Sequence, residues 1–196
     1  ETPTFVVVGT KVTIKSLSPE QVKDLGTQVV LANTYHLYLE PGDEIVRDAG
    51  GLHTFINWNG PTMTDSGGFQ AFSLGADFNK KVGKISVTRT DADAKSADTA
   101  DENIGSQEEP TLAKITEDGV AFKSYRDGSE HFFTPERSIE IQHNIGADMI
   151  FAFDECTSPL NSYEYTKEAM ERTHRWILRC IKQFSNFRKQ ALFAIV

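Results

Sequence analysis

Short apolar runs separated by amphipathic stretches set the grammar of this chain. Gln28 to Ala32, Pro61 to Thr64, Asp148 to Phe153 and Ala191 to Val196 are compact runs of the kind that strands buried on both faces carry. Thr4 to Ile14, built on Phe5-Val6-Val7-Val8 and punctuated by Gly9-Thr10, predicts one or two further strands. Between the runs stand helix signals. Ser18-Pro19-Glu20-Gln21 supplies a cap, a first-turn proline and a glutamine three residues after the cap, and Gly26 stops that helix. Pro41 to Ala49 predicts a helix ended by Gly50-Gly51. Thr134-Pro135-Glu136 opens another, with Ile139, Gln142 and Ile145 on one face and Gly146 at its end. Tyr163 to Phe184 gives the clearest helix, its inner stripe expected at Met170, Thr173, Ile177, Ile181 and Phe184.

One stretch breaks the alternation. Glu117-Asp118-Gly119 and Arg126-Asp127-Gly128-Ser129 are turn signals between Lys114-Ile115, Val120 to Tyr125 and His131 to Phe133, which predicts a small antiparallel excursion. The remainder is the pattern of parallel α/β architecture, a (β/α) barrel or a doubly wound sheet. In both, chemistry collects at the carboxyl ends of the strands. Asn33, Asp65 and Asp154 each follow a predicted strand there.

Composition adds boundaries. With 196 residues, 39% hydrophobic and 24% charged, the chain suits one globular domain. No apolar run reaches membrane-spanning length, and Cys156 and Cys180 match neither a disulfide framework nor a zinc spacing, so a cytoplasmic setting is expected. The formal charge of -8 is segregated. Asp91 to Asp118 alone carries a net -7, and it overlaps a stretch (78–110) of Asp, Ala, Ser, Thr and Lys that reads as an acidic, flexible insertion. Glu164 to Lys189 carries +4, so a nucleic-acid partner is not excluded. Arg172, Arg175, Arg179 and Lys182 make a basic stripe on the long helix, read as a solvated face with phosphate contact as the alternative. The lack of an initiator Met and the stop within an apolar run lead to the expectation of a fragment.

The candidate chemistry centres on Thr64-Asp65-Ser66-Gly67-Gly68-Phe69-Gln70. An acid at a strand end is followed by two glycines that allow close approach to bare backbone, then by an aromatic face on which a base could stack. Asp65 and Asp154 would make a carboxylate pair suited to glycosyl chemistry. The opposing reading has each aspartate capping its own segment, and the periodicity leaves the two even. Cys156 reads as a small buried hydrophobe at a pocket wall. The five histidines show no ligand spacing.

Leu31-Ala32-Asn33-Thr34-Tyr35-His36-Leu37, the Asp65 block, Asp127-Gly128-Ser129 with Thr134-Pro135-Glu136, and Phe153-Asp154-Glu155-Cys156-Thr157 together resemble the tRNA-guanine transglycosylases, or queuine tRNA-ribosyltransferases, and the Asp-Glu-Cys form is similar to their bacterial branch. The resemblance implies the first half of a (β/α)8 barrel spanning 1–196. It also implies exchange of the tRNA wobble guanine for a 7-deazaguanine, in that branch 7-aminomethyl-7-deazaguanine. In that scheme Asp65 handles the proton of the departing and arriving base. Ser66, Gly67, Gly68 and Cys156 lie along the substrate, Phe69 stacks on it, and Asp154 accepts hydrogen bonds from its Watson–Crick edge. Asn33 lies by the ribose and Gln70 touches the tRNA. The resemblance further implies a homodimer, and it puts the family's nucleophilic aspartate and its Cys/Cys/Cys/His zinc ligands beyond the fourth strand, outside this sequence. These 196 residues alone are accordingly expected to exchange no base. Two alternatives stay open here: a non-catalytic tRNA-binding partner subunit, and a related exchange enzyme acting on archaeal tRNA or on DNA.

Overall fold

The computed structural model describes residues 5–10, 13–76, 113–186 and 188–195. The expected acidic insertion at 78–110 lies outside the described residues. Five parallel strands form the central sheet: β1 (Val7–Val8), β2 (Val30–Ala32), β3 (Thr62–Thr64), β7 (Met149–Phe151) and β8 (Ala191–Phe193). Their spatial order is β1-β2-β3-β7-β8, so each strand lies beside its successor in the chain, without the reversal of a doubly wound sheet. Thr4 to Ile14 yields only the two-residue β1 among its described residues, shorter than expected.

Helices carry the crossovers. The box at Ser18 forms as its spacing dictates: its hydroxyl accepts from Gln21 N, and the Gln21 side chain accepts from Ser18 N, at the head of α1 (Pro19–Asp24). After β2 come α2 (Thr34–Leu39), α3 (Asp43–Asp48) and α4 (Leu52–Ile56). Of these only α3 was expected; α2 and α4 are too short to show a period of their own. Next is α5 (Gly68–Ala76), which starts directly behind β3. The antiparallel excursion is β4 (Ala113–Ile115), β5 (Val120–Lys123) and β6 (Glu130–Phe133), a separate sheet in that order. Two longer helices, α6 (Pro135–Ile145) and α7 (Tyr163–Gln183), start from Thr134 and Ser162 caps, and α6 ends at left-handed Gly146, φ 76°.

Two expectations about α7 are corrected. Its buried stripe is Ala169, Thr173, Trp176 and Cys180, whereas Met170 and Ile181 are exposed. The true stripe is rotated by one position from the expected one, because Trp176 and Cys180 bury more completely than the aliphatics beside them. Nor is its arginine stripe a solvated face. Arg175 Nε is 2.6 Å from Glu117, Arg179 holds Glu136 at 2.7 Å, and Arg172 pairs with Glu155 and Glu168. Glu117 and Asp118 form the β4–β5 turn; their carbonyls also accept from Trp176 Nε1 and Arg179. The long helix thus pins the small sheet through ions spaced one turn apart.

A buried glutamine closes the gap between β3 and β7. The two strands share one registered pair, Met63 with Met149. Beyond it, Gln142 Oε1 accepts from Thr64 Oγ1 (3.0 Å) and Phe151 N (3.1 Å), while its Nε2 donates to Phe151 O (2.9 Å) and Ser138 Oγ (3.2 Å). Gln142 Cδ amide atoms thereby replace ladder bonds that the diverging strands cannot make. Replacing Gln142 with Leu keeps most of the volume but strands these partners in the core. We expect Gln142→Leu to cost about 3 kcal/mol, measured by urea unfolding of the full-length protein.

Candidate active site

Register builds the rim. Val30, Leu31 and Ala32 pair with Thr62, Met63 and Thr64, so the next residues, Asn33 and Asp65, leave the sheet side by side. Asn33 Nδ2 donates to Asp65 Oδ2 at 2.5 Å, Thr34 N to Oδ1 at 2.8 Å and Gln70 Nε2 to Oδ2 at 3.1 Å. Thr34 Oγ1 also holds the Asp65 carbonyl at 2.6 Å. Asp65 therefore caps no turn of its own: its carboxylate spans to the first residues after β2. Three donors on one carboxylate fix its direction.

The second carboxylate arrives from β7. Asp154 Oδ1 accepts from Ser66 Oγ at 2.6 Å, and Ser66 Oγ accepts from Gly68 N at 3.1 Å. Ser138 Oγ on α6 donates to the Ser66 carbonyl at 2.7 Å, which ties the loop to the Gln142 network. Burial raises the Asp154 carboxyl above its usual range; the Ser66 hydroxyl opposes that shift, and the Asp65 charge adds to it. Asp154 caps no helix either, since α7 takes its cap from Ser162. The two aspartates, 89 positions apart in sequence, thus act on each other electrostatically across one loop.

Both glycines are required by space. Gly67 has φ +80°, and a Cβ there would lie 3.2 Å from the Phe133 ring. A Cβ on Gly68 would lie 2.6 Å from the Asp154 carbonyl oxygen and 3.3 Å from its Oδ1. The turn packs directly against the Asp154 backbone carbonyl, an approach that a side chain at Gly68 would prevent.

The other expected residues sort as follows. Phe69 exposes 58% of its surface at the head of α5, free to meet a planar partner. Gln70, expected to touch RNA, turns its amide onto Asp65, and its Oε1 is buried without a hydrogen-bond partner. Cys156 is exposed, which corrects the expectation of a buried hydrophobe: it follows Glu155, whose side chain takes the inward place. Desolvation of its sulfur and then the Asp154 charge push the Cys156 thiol up, so it is protonated and a weak nucleophile at neutral pH. Thr34, Ser138 and Gln142 belong to the site's support and were not singled out from sequence. A polar Gln142 between Ile139 and Ile145 on an apolar helix face was the available signal.

Among the described residues no group of three or more His, Cys, Asp or Glu side chains could hold a metal ion, and no helix is long and apolar enough to cross a membrane. The rim combines an oriented carboxylate, a second carboxylate whose pKa burial raises, bare backbone and an exposed ring. Such a set can bind a flat heterocycle by its edge and move a proton on it.

Comparison with known proteins gives the same direction. The family profile described as queuine tRNA-ribosyltransferase matches residues 1–106 and 98–196. A relative from Archaeoglobus fulgidus is 47% identical over 196 residues, all of this chain and 47% of its own. Proteins named queuine tRNA-ribosyltransferase from Ruminiclostridium cellulolyticum and Symbiobacterium thermophilum are 44% and 46% identical over the same 196 residues, which are 43% and 40% of their lengths. The chain spans less than half the length of these relatives.

In a helix, Gly→Ala ordinarily stabilises by about 1 kcal/mol. At Gly68 we expect the opposite sign, a loss of about 1–3 kcal/mol in urea unfolding, because the added methyl drives into Asp154.

Proposed function

The chain belongs to the queuine tRNA-ribosyltransferase family, and from that premise we propose that its rim handles the base in a tRNA-guanine exchange. The exchange replaces the wobble guanine of tRNA with a 7-deazaguanine. The observation that carries this reading is the meeting of Asp65 and Asp154 across the Ser66-Gly67-Gly68 turn. The sequential strand order supports a barrel-type domain with this rim at its mouth.

Asp154 is the base anchor. A Watson–Crick edge that offers N–H donors restores to the buried carboxylate the hydrogen bonds it lost with water, and so holds it ionised. Ser66 keeps that carboxylate aimed, Gly67 and Gly68 let the turn pack against Phe133 and Asp154, and Phe69 covers the face of the base. Asp65 moves the proton of the leaving and entering base. Its three donors, Asn33 Nδ2, Thr34 N and Gln70 Nε2, hold the carboxylate at the rim where the base would meet it. Asn33, bound to Asp65, is assigned to the ribose side of the base on the strength of the family resemblance. A glycosyl carrier, the aspartate nucleophile, is taken to come from outside these 196 residues. The described residues offer zinc no site, and no step of the reading runs through a metal.

In the full-length protein, Asp65→Asn should lower incorporation of labelled guanine into tRNA at least about a thousandfold. Asp154→Asn should raise KM for guanine roughly a hundredfold, the value of a charged hydrogen-bonded edge. If both variants turn over normally, the assignment fails.

Asp154 also gives a pH signature. Its folded pKa is raised above the ordinary 3.8, so its contribution to stability is fullest in acid and is lost as pH rises through the raised value. Asn lacks that loss. Asp154→Asn should therefore be more stable than the wild type at neutral pH, with the gain shrinking on acidification, read as Tm against pH. The wild-type KM for guanine should rise as pH falls through the same value.

A further inference from the structure

Next to Asp154 stands a carboxylate that the exchange does not use. The side chain of Glu155 is fully buried and points away from the rim, into α7. There Arg172, itself 11% exposed, pairs with Glu155 Oε2 through its Nη1, and Tyr165 Oη donates to Oε1 at 2.7 Å. The Glu155 backbone N–H donates to Thr173 Oγ1 at 3.0 Å, and two residues earlier Phe153 N–H reaches Cys180 Sγ at 3.3 Å. Every one of these partners lies on α7. Arg172 continues outward to Glu168 at 2.6 Å and to Glu117 of the small sheet at 3.5 Å.

A buried ion pair is a poor way to gain stability, because desolvation offsets most of its attraction, and an apolar pair of similar volume commonly does as well. Directional bonds supply what an apolar pair cannot: they fix the path of a short stretch of backbone. Here that stretch is 153–155, and Asp154 is the residue held between the two anchors. Gly68 and Ser66 press on Asp154 from the other side. With the Glu155 side chain released, α7 would hold this stretch only through the two backbone N–H contacts to Thr173 and Cys180, and small misplacements are expensive in a site of this kind.

We propose that Glu155, Arg172 and Tyr165 are positioning residues that set the Asp154 carboxylate for the incoming base. This rests on the base-exchange reading of the rim. The three residues touch no substrate; they act through the backbone they hold.

The test is guanine incorporation into tRNA by the full-length protein, with guanine and tRNA varied separately. Glu155→Gln and Tyr165→Phe should each raise KM for guanine about tenfold, the loss of one hydrogen bond or charge contact, with kcat and KM for tRNA within about threefold of wild type. The neutral pair Glu155→Gln with Arg172→Gln, which can still hydrogen-bond, should recover most of the loss caused by either single change. Tyr165→Phe removes only a hydroxyl, so it decides the matter if Glu155→Gln does not fold. Unchanged KM for guanine in a working background overturns the proposal. So does a uniform fall in kcat with no recovery in the double variant, the mark of a merely structural pair. A wild-type protein that exchanges no base overturns the reading of the rim instead.

Discussion

The rim depends on one bond: the 2.6 Å contact in which the Ser66 hydroxyl serves the Asp154 carboxylate. Burial raises the pKa of this carboxylate, and the Ser66 hydroxyl works against that shift while fixing the direction of the group. Ser66 can do so because it is itself tied twice, by Gly68 N–H at its hydroxyl and by Ser138 at its carbonyl. Both ties need the turn at Gly67 and Gly68 to lie directly on Asp154. The strand register that sets Asn33 beside Asp65 then delivers the second carboxylate to the same turn. Chemistry and packing are therefore one arrangement, since the turn that carries the rim residues also lies against Phe133 of the core.

Beneath that turn, charge is spent inside the molecule. Arginines on α7 that could have met a polyanion hold Glu117, Glu136, Glu155 and Glu168 instead. The most exposed of these pairs contribute little by themselves. Their effect is geometric, because they seat the small antiparallel sheet against the helix that also carries the Asp154 loop. Phe133 of that sheet in turn packs against Gly67. Sheet, helix and turn consequently share their boundary conditions.

Much of this was legible in the chain itself. Caps at Ser18 and Thr134, the glycine stop at Gly146 and the turns at Glu117 and Asp127 act over three or four residues, and local signals of that range survive folding. Residue pattern alone left Asp65 and Asp154 evenly balanced between a carboxylate pair and two separate caps, because their approach depends on register. What stayed hidden was set by competition among neighbours. Met170 and Ile181 are as apolar as a core requires, yet Trp176 and Cys180 take the inner positions. Cys156 gives up the inside to Glu155, which no hydrophobicity scale would choose, because Arg172 and Tyr165 wait for a carboxylate there. Gln142 looked like an irregularity in an apolar stripe and proved to be the link between two strands.

Aromatic rings follow the same line through the molecule. Tyr38 meets Phe133 at 5.0 Å between centroids, Phe133 meets Phe153 at 6.2 Å, and Phe153 lies stacked on Trp176 at 5.1 Å. Phe153 directly precedes Asp154, so the indole is one ring away from the residue that the pocket turns on. Light emitted by Trp176 is thereby an inborn gauge of that loop: a shift of the backbone there changes the overlap of the two rings, and occupancy could be followed without attaching a dye.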